Sequence, residues 1–240
     1  MNRQAAILLD KLAAHAHHSP SIPINIFPLV THCALDIICE TAMGRSINAQ
    51  ANSDTEYVRA VYASSDIVFK RQSFPWLSWD WFFALTPMGR RWRQCLAVLQ
   101  GFTNTVIQER KAEIAAAKKA EKNDAREKDQ NDTTTIGIKK RMAFLDLLIE
   151  ESKGGTVLSD EDIREEVDTF MFEGHDTTAT NMTFTLYLMA THPAIQQRCQ
   201  EELDGIFEGG DRPATSKDLG QMKYLEACLK ESLRYSAAKY

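Results

Sequence analysis

Asp160–His192, reading DEDIREEVDTFMFEGHDTTATNMTFTLYLMATH, is the stretch that decides how the rest of this sequence is read. It holds no proline, follows Ser159, and stops at His192-Pro193. At about 1.5 Å per residue, a helix of that length crosses most of a domain. Ser159 is placed to cap it, with Asp162 opposite, and Asp160, Glu161 and Asp162 suit the positive end of the helix dipole. Val167, Phe170 and Met171 supply an apolar face, with Phe172 beside it.

The middle breaks that pattern. Glu173-Gly174-His175-Asp176-Thr177-Thr178 stands where a packed helix calls for leucines, and such a conflict marks function more often than packing. A helical glycine costs about 1 kcal/mol relative to alanine, so Gly174 signals a bend or the close approach of a ligand. Asp176, Thr177 and Thr178 can hydrogen-bond the backbone and open the helix locally. An acid beside a hydroxyl in an opened helix can relay protons. The alternative is a merely kinked helix.

Outward from this stretch the inventory is helical, with no convincing strand and no internal repeat. Residues 1–18 read as a helix with Ile7, Leu8 and Leu12 on one face, joined by Ala5 or Ala16. His15, His17 and His18 at its end are a possible metal cluster or, more simply, a solvated terminus before Ser19-Pro20. From Leu29 to Met43 apolar residues recur at helical spacing up to Gly44, which sits in the C-capping position. Asp54–Lys70 is amphipathic, with Val58, Val61, Tyr62, Ile67 and Phe69 available for burial. A long helix is expected from Met88 to about Lys122, dissolving into a charged flexible loop over about 115–140. Helix resumes over Arg141–Glu151 and stops at Gly154-Gly155.

One segment differs. Phe74-Pro75-Trp76-Leu77-Ser78-Trp79-Asp80-Trp81-Phe82-Phe83 packs its aromatics into a proline-bounded run. It is either a loop folded over the core or a segment that touches a membrane or admits substrate, since tryptophan favours bilayer interfaces.

Composition narrows the class. A hydrophobic fraction of 44% with 25% charged residues is that of a globular protein, and a net charge of −5 gives no reason to expect nucleic acid. The five cysteines (33, 39, 95, 199 and 228) are scattered, without the spacing of a disulfide framework or a zinc site. They read as buried or idle thiols. No run of about eighteen apolar residues is present.

Here the motifs meet a known pattern. Glu173-Gly174-His175-Asp176-Thr177-Thr178 resembles the signature of the long distal helix in cytochrome P450 enzymes: small residue, glycine, any residue, acid, threonine, then threonine or serine. The glutamate departs from it at the first position. Ala190-Thr191-His192-Pro193 is similar to the end of that helix; Asp218-Leu219, Met222 and Tyr224-Leu225 resemble the approach to the next signature helix. Glu231-Ser232-Leu233-Arg234 matches its E-x-x-R motif. An E-x-x-R alone is only an i,i+3 ion pair, but the four in this order are specific. The run Glu166–Asp176 looks like family 4, the fatty-acid ω-hydroxylating branch in which that glutamate is typical, and Cys33–Gly44 resembles the same branch.

The resemblance implies a mainly α fold: the middle helical portion of the cytochrome P450 fold, residues 1–240 forming one partial domain. It implies insertion of one oxygen atom from O2 into a C–H bond of an apolar small molecule such as a fatty acid. The cofactor would be haem (iron protoporphyrin IX) on a cysteine thiolate, with electrons from NADPH through a flavin-containing reductase, at the endoplasmic reticulum membrane surface. Asp176 and Thr177 fall on the catalytic acid and threonine that handle oxygen and its protons. Gly174 falls where the helix passes the porphyrin. Glu173 falls where many family-4 members ester-link a haem methyl; a non-covalent contact is the alternative. Glu231 and Arg234 fall on a buried structural pair.

The sequence also departs from the family. No F-x-x-G-x-R-x-C-x-G loop carrying the thiolate follows Arg234, and none of the five cysteines lies in such a context, so no metal ligand is assigned. The N-terminal anchor and early sheet have no counterpart either. A partial monooxygenase is therefore expected, with a helical product lacking catalysis, at most an interaction fragment, as the other reading.

Overall fold

The computed structural model describes residues 1–18, 22–52, 54–127 and 143–237, and among these there are helices and turns but no strand. They gather into two compact units: Met1–Ile37 with Glu173–Tyr240, and Ile38–Phe172.

In the first unit, α1 (Asn2–His18), α2 (Phe27–Ile38) and the later part of α7 (Asp160–Thr191) share a core of Leu8, Val30, Cys33, Ala34 and Ala179. Leu12, Leu29, Ile37 and Met182 pack against it. The fourth position on the α1 face is Gln4, not Ala5 or Ala16: Gln4 is buried, and its backbone carbonyl accepts from the Cys33 thiol at 3.5 Å. His15, His17 and His18 lie exposed at the helix end. Pro193 then opens α8 (Pro193–Phe207), where a missing N–H is harmless. The short α9 (Ser216–Leu219) is held by a reciprocal capping box between Thr215 and Asp218. The last helix is α10 (Lys223–Ala237).

In the second unit, α2 gives way to a π-helical turn over Cys39–Met43. It closes at Gly44, whose N–H donates to the Cys39 carbonyl and whose φ of +70° brings the Arg45 N–H back to the same oxygen at 3.3 Å. Thr55 caps α3 (Glu56–Ser73), which packs on α5 (Pro87–Glu127), with the Tyr57 and Phe102 rings 4.3 Å apart. Val58, Val61 and Ile67 are buried as the spacing predicts, but Phe69 points to solvent. Helix α5 runs a turn past its expected end, to Glu127; the charged loop expected beyond it lies, from 128 to 142, outside the described residues.

The aromatic segment forms a 3-10 turn (Pro75–Ser78) and α4 (Asp80–Leu85). Only Leu77 and Phe83 turn inward, onto Ile67, Met88 and Trp92. Trp76, Trp79 and Trp81 are more than half exposed, with Phe74, Phe82 and Leu85 beside them. Arg71 holds the segment to α3, donating to the Leu77 carbonyl, pairing with Asp80 and lying over the Phe83 ring. The turn into α5 is tight: a Cβ on Gly89 would stand 2.1 Å from the Phe83 carbonyl oxygen, so only glycine fits.

Candidate functional site

Helix α7 begins as its sequence predicts. The Ser159 N–H donates to Asp162 at 2.8 Å, and the Asp162 N–H donates back to the Ser159 hydroxyl at 3.2 Å, which satisfies two otherwise orphaned donors. Asp160 takes Gln108 and Lys111 of α5. Two turns on, the Thr103 hydroxyl donates to Asp168 at 2.6 Å, with Arg164 at 3.4 Å. Burial nevertheless pushes the Asp168 carboxyl above the usual carboxylate range, against the pull of those two partners.

At the centre the helix is continuous. The local opening expected around Asp176–Thr178 is absent: α7 stays α-helical throughout, and the only widened turn described is the one at Cys39–Met43. What replaces it is a back-bond, in which the Thr177 hydroxyl donates to the Glu173 carbonyl oxygen at 2.6 Å. This satisfies the hydroxyl proton without unwinding the helix.

The phase of the helix sorts the motif residues. His175 (2% exposed) and Ala179 (0%) are buried, with Met182 partly so, at i, i+4 and i+7. Glu173 and Thr177, also i and i+4, lie on the opposite edge and are exposed. Gly174 and Asp176 are half-buried between the two edges, and Thr178 is exposed. Among the described residues, the Glu173 and Asp176 side chains have no hydrogen-bond or ion-pair partner. The structure therefore brings Glu173, Gly174, Asp176 and Thr177 within one and a half turns of α7. His175 is the member whose place the sequence motif left unassigned; its signal was the i+4, i+7 spacing to Ala179 and Met182.

Past Thr177 on that same edge, α7 borders an apolar groove of about 540 Å³ lined by Ile24, Ile26, Phe27, Thr180, Phe184 and Tyr187. The Glu231–Arg234 pair is present on α10 as a fork, Arg234 Nε to Glu231 at 2.8 Å, but the expectation that it is buried is not met. Its side chains are 62% and 70% exposed, because no described segment covers that turn of α10.

The family model described as Cytochrome P450 matches residues 1–239. The chain belongs to the cytochrome P450 family. Cytochrome P450 4c3 of Drosophila melanogaster is 53% identical over 236 residues, which are 97% of this chain and 43% of that protein. Cytochrome P450 4V2 of Homo sapiens is 47% identical over 235 residues, covering 98% of this chain and 43% of that protein. Cytochrome P450 4c21 of Blattella germanica is 43% identical over 231 residues, covering 96% and 44%. All three carry the family-4 designation, which places this P450 in that branch. The chain spans about 43% of the length of these relatives.

A P450 requires haem, and the centre of α7 fits one. Glu173 and Thr177 present an open carboxylate and hydroxyl, Gly174 adds no side chain beside them, and an apolar groove continues the edge. That combination suits a flat macrocycle with apolar faces. No helix among the described residues is long and apolar enough to cross a membrane.

Proposed function

We propose that this chain forms the oxygen-handling side of a haem-thiolate monooxygenase that inserts one oxygen atom from O2 into a C–H bond of a fatty acid or similar apolar substrate. The observation that carries this reading is the polar centre of α7, where among the described residues Glu173 and Asp176 have no side-chain partner and the Thr177 hydroxyl donates to its own helix.

Haem, when bound through a thiolate from elsewhere in the fold, supplies the oxygen-activating redox chemistry. Glu173 is the residue to hold its edge, by an ester or by a polar contact, and Gly174 keeps the helix surface low beside it. The Thr177 hydroxyl carries one proton, given in the resting helix to the Glu173 carbonyl oxygen. Rotated away from that acceptor, the same proton becomes available to a reacting oxygen. The Asp176 carboxylate, half-buried and with no side-chain partner among the described residues, can take a proton from water and return it to the threonine oxygen. Electrons would come from NADPH through a flavin-containing reductase. The exposed tryptophans of the α3–α5 connection suit a membrane surface, in keeping with the endoplasmic reticulum.

The test is the Thr177→Ala variant of the holoenzyme that carries this stretch, supplied with NADPH, reductase and a fatty acid. NADPH oxidation should continue while oxygenated product falls about a hundredfold, the size of a lost acid–base group, and hydrogen peroxide accumulates. Full product yield from the variant would remove the role given to Thr177. Acid denaturation of the holoenzyme decides the Glu173 linkage: haem mass retained on the peptide containing Glu173, and lost in Glu173→Gln, supports the ester. Freely extracted haem sinks it. If the 240-residue chain loaded with haem neither oxygenates nor shows the thiolate-type reduced-CO band, the non-catalytic reading holds for that polypeptide by itself.

A further inference from the structure

Cys199 and Cys228 lie on different helices, α8 and α10, with their sulfurs 3.6 Å apart. Neither is bonded to another cysteine, and neither has a role in the haem chemistry outlined above. A contact that short between two thiols needs a rigid frame, and the same two helices provide one. One turn along from Cys199, the Glu202 carboxylate accepts from the backbone N–H groups of Tyr224 at 2.7 Å and Leu225 at 2.9 Å. It thereby caps α10 with a side chain of α8. On the adjoining position, the Arg198 guanidinium lies 4.4 Å over the Tyr224 ring. These contacts fix the separation and rotation of α8 and α10 at the level of the two sulfurs.

The two thiols differ in access. Cys199 is 3% exposed, whereas Cys228 is half-buried and lines a cavity of about 420 Å³ bordered by Leu188, Ile195, Tyr224 and Ala227. A small neutral oxidant that enters the cavity therefore meets Cys228 first.

We propose that Cys199 and Cys228 form a peroxide-oxidised disulfide that locks α8 to α10. The Cys228 thiolate takes one oxygen from hydrogen peroxide, breaking the O–O bond and leaving a sulfenic acid and, after protonation, water. The Cys199 thiolate then attacks the Cys228 sulfur, forming the S–S bond and releasing the second water. In sum, two thiols and one peroxide give one disulfide and two waters. Closing from 3.6 Å to a bond of about 2.05 Å is a small movement for side chains already facing each other. Burial, reinforced by the neighbouring Cys228, pushes the Cys199 thiol up to about 11. The resolving attack is thus slow at neutral pH and accelerates as pH rises, since the thiolate is the nucleophile. The Glu231–Arg234 fork sits one turn beyond Cys228, so the lock also fixes the turn of α10 that carries it.

The experiment treats the folded protein with hydrogen peroxide at one equivalent, alkylates the remaining thiols and maps tryptic peptides without reduction. The expected result is a linked pair of peptides, 199–217 with 224–230, and alkylation of Cys33, Cys39 and Cys95. The linked pair disappears on reduction, and its formation is faster at pH 8.5 than at pH 7. In Cys199→Ser, a sulfenic-acid trap should label Cys228. Full alkylation of all five cysteines, links that involve Cys33, Cys39 or Cys95, or over-oxidised Cys228 with Cys199 still free would each overturn the proposal. So would a Cys199→Ser protein whose Cys228 takes no trap.

Discussion

Asp146→Asn tests how the short helix α6 (Phe144–Glu151) is held to the long helix α5. Arg110 Nε and Nη2 donate to the two Asp146 oxygens at 2.5 and 2.8 Å, a fork on a carboxylate whose side chain is 9% exposed. Arg110 keeps a second partner, Glu113 at 2.6 Å, and is itself 31% exposed. The asparagine keeps the shape and one accepting oxygen, but its amide nitrogen faces a guanidinium donor. One charge-assisted bond, worth about 1.5–3 kcal/mol, is lost. Arg110 can regain water, so the total stays below the about 3–5 kcal/mol of a fully buried broken pair. The expected loss is about 2 kcal/mol at pH 7, read from urea unfolding by far-UV circular dichroism. The Arg110 hydrogen bonds hold the Asp146 carboxyl below the usual carboxylate range, against the opposing effect of burial. A lowered folded-state pKa means the contribution is complete above the unfolded value of about 3.9 and fades as pH falls through the folded value. The gap between the two proteins should hold from about pH 7 to 5 and narrow below about pH 4. A gap under about 0.5 kcal/mol, or one as wide at pH 3 as at pH 7, would refute the reasoning.

Gly89→Ala forces a Cβ against the Phe83 carbonyl, a backbone atom, so α4 must shift; a loss of about 1–3 kcal/mol with altered tryptophan fluorescence is expected, and unchanged stability counts against the close approach. Asp168→Asn goes the other way. The folded-state pKa is raised by burial, so the charged form destabilises the fold once pH exceeds the unfolded value; the variant should melt about 2 °C higher at pH 7, with no gain near pH 4. A lower melting point at pH 7 would show that Arg164 outweighs burial. Trp76/Trp79/Trp81→Ala should weaken binding to phosphatidylcholine vesicles about tenfold or more, since these rings are exposed and the aromatic segment's own anchors, Leu77 and Phe83, are untouched. Undiminished vesicle binding removes the membrane role.

Much of the fold was legible because its signals are local. Ser159 with Asp162, Gly44 after Met43, and Pro193 after His192 each mark a helix end by satisfying or removing a specific backbone group, and each does so in the structure. What escaped the sequence depends on partners far along the chain. Gln4 is buried because Cys33 and the α2 face arrive over it, and nothing in residues 1–18 foretells that. Phe69 and Val61 both count as apolar positions of α3, but only Val61 is buried. The π-helical turn at Cys39–Met43 was hidden because one extra residue in a turn hardly disturbs apolar spacing over so short a run.

The site divides in the same way. That residues 173–178 break an otherwise packable helix is visible in the string itself; which of them face outward is not. Each residue advances the helix by about 100°, so shifting the buried edge by one position would turn Glu173 or Thr177 toward the core. The phase is set by His175 and Ala179, both buried, with Ala179 wholly enclosed in the cluster of Leu8, Val30 and Cys33. The open carboxylate and hydroxyl on the far edge are therefore positioned by small and apolar packing on the buried edge of the same helix. The motif names the chemistry, and the packing on the opposite edge of α7 aims it.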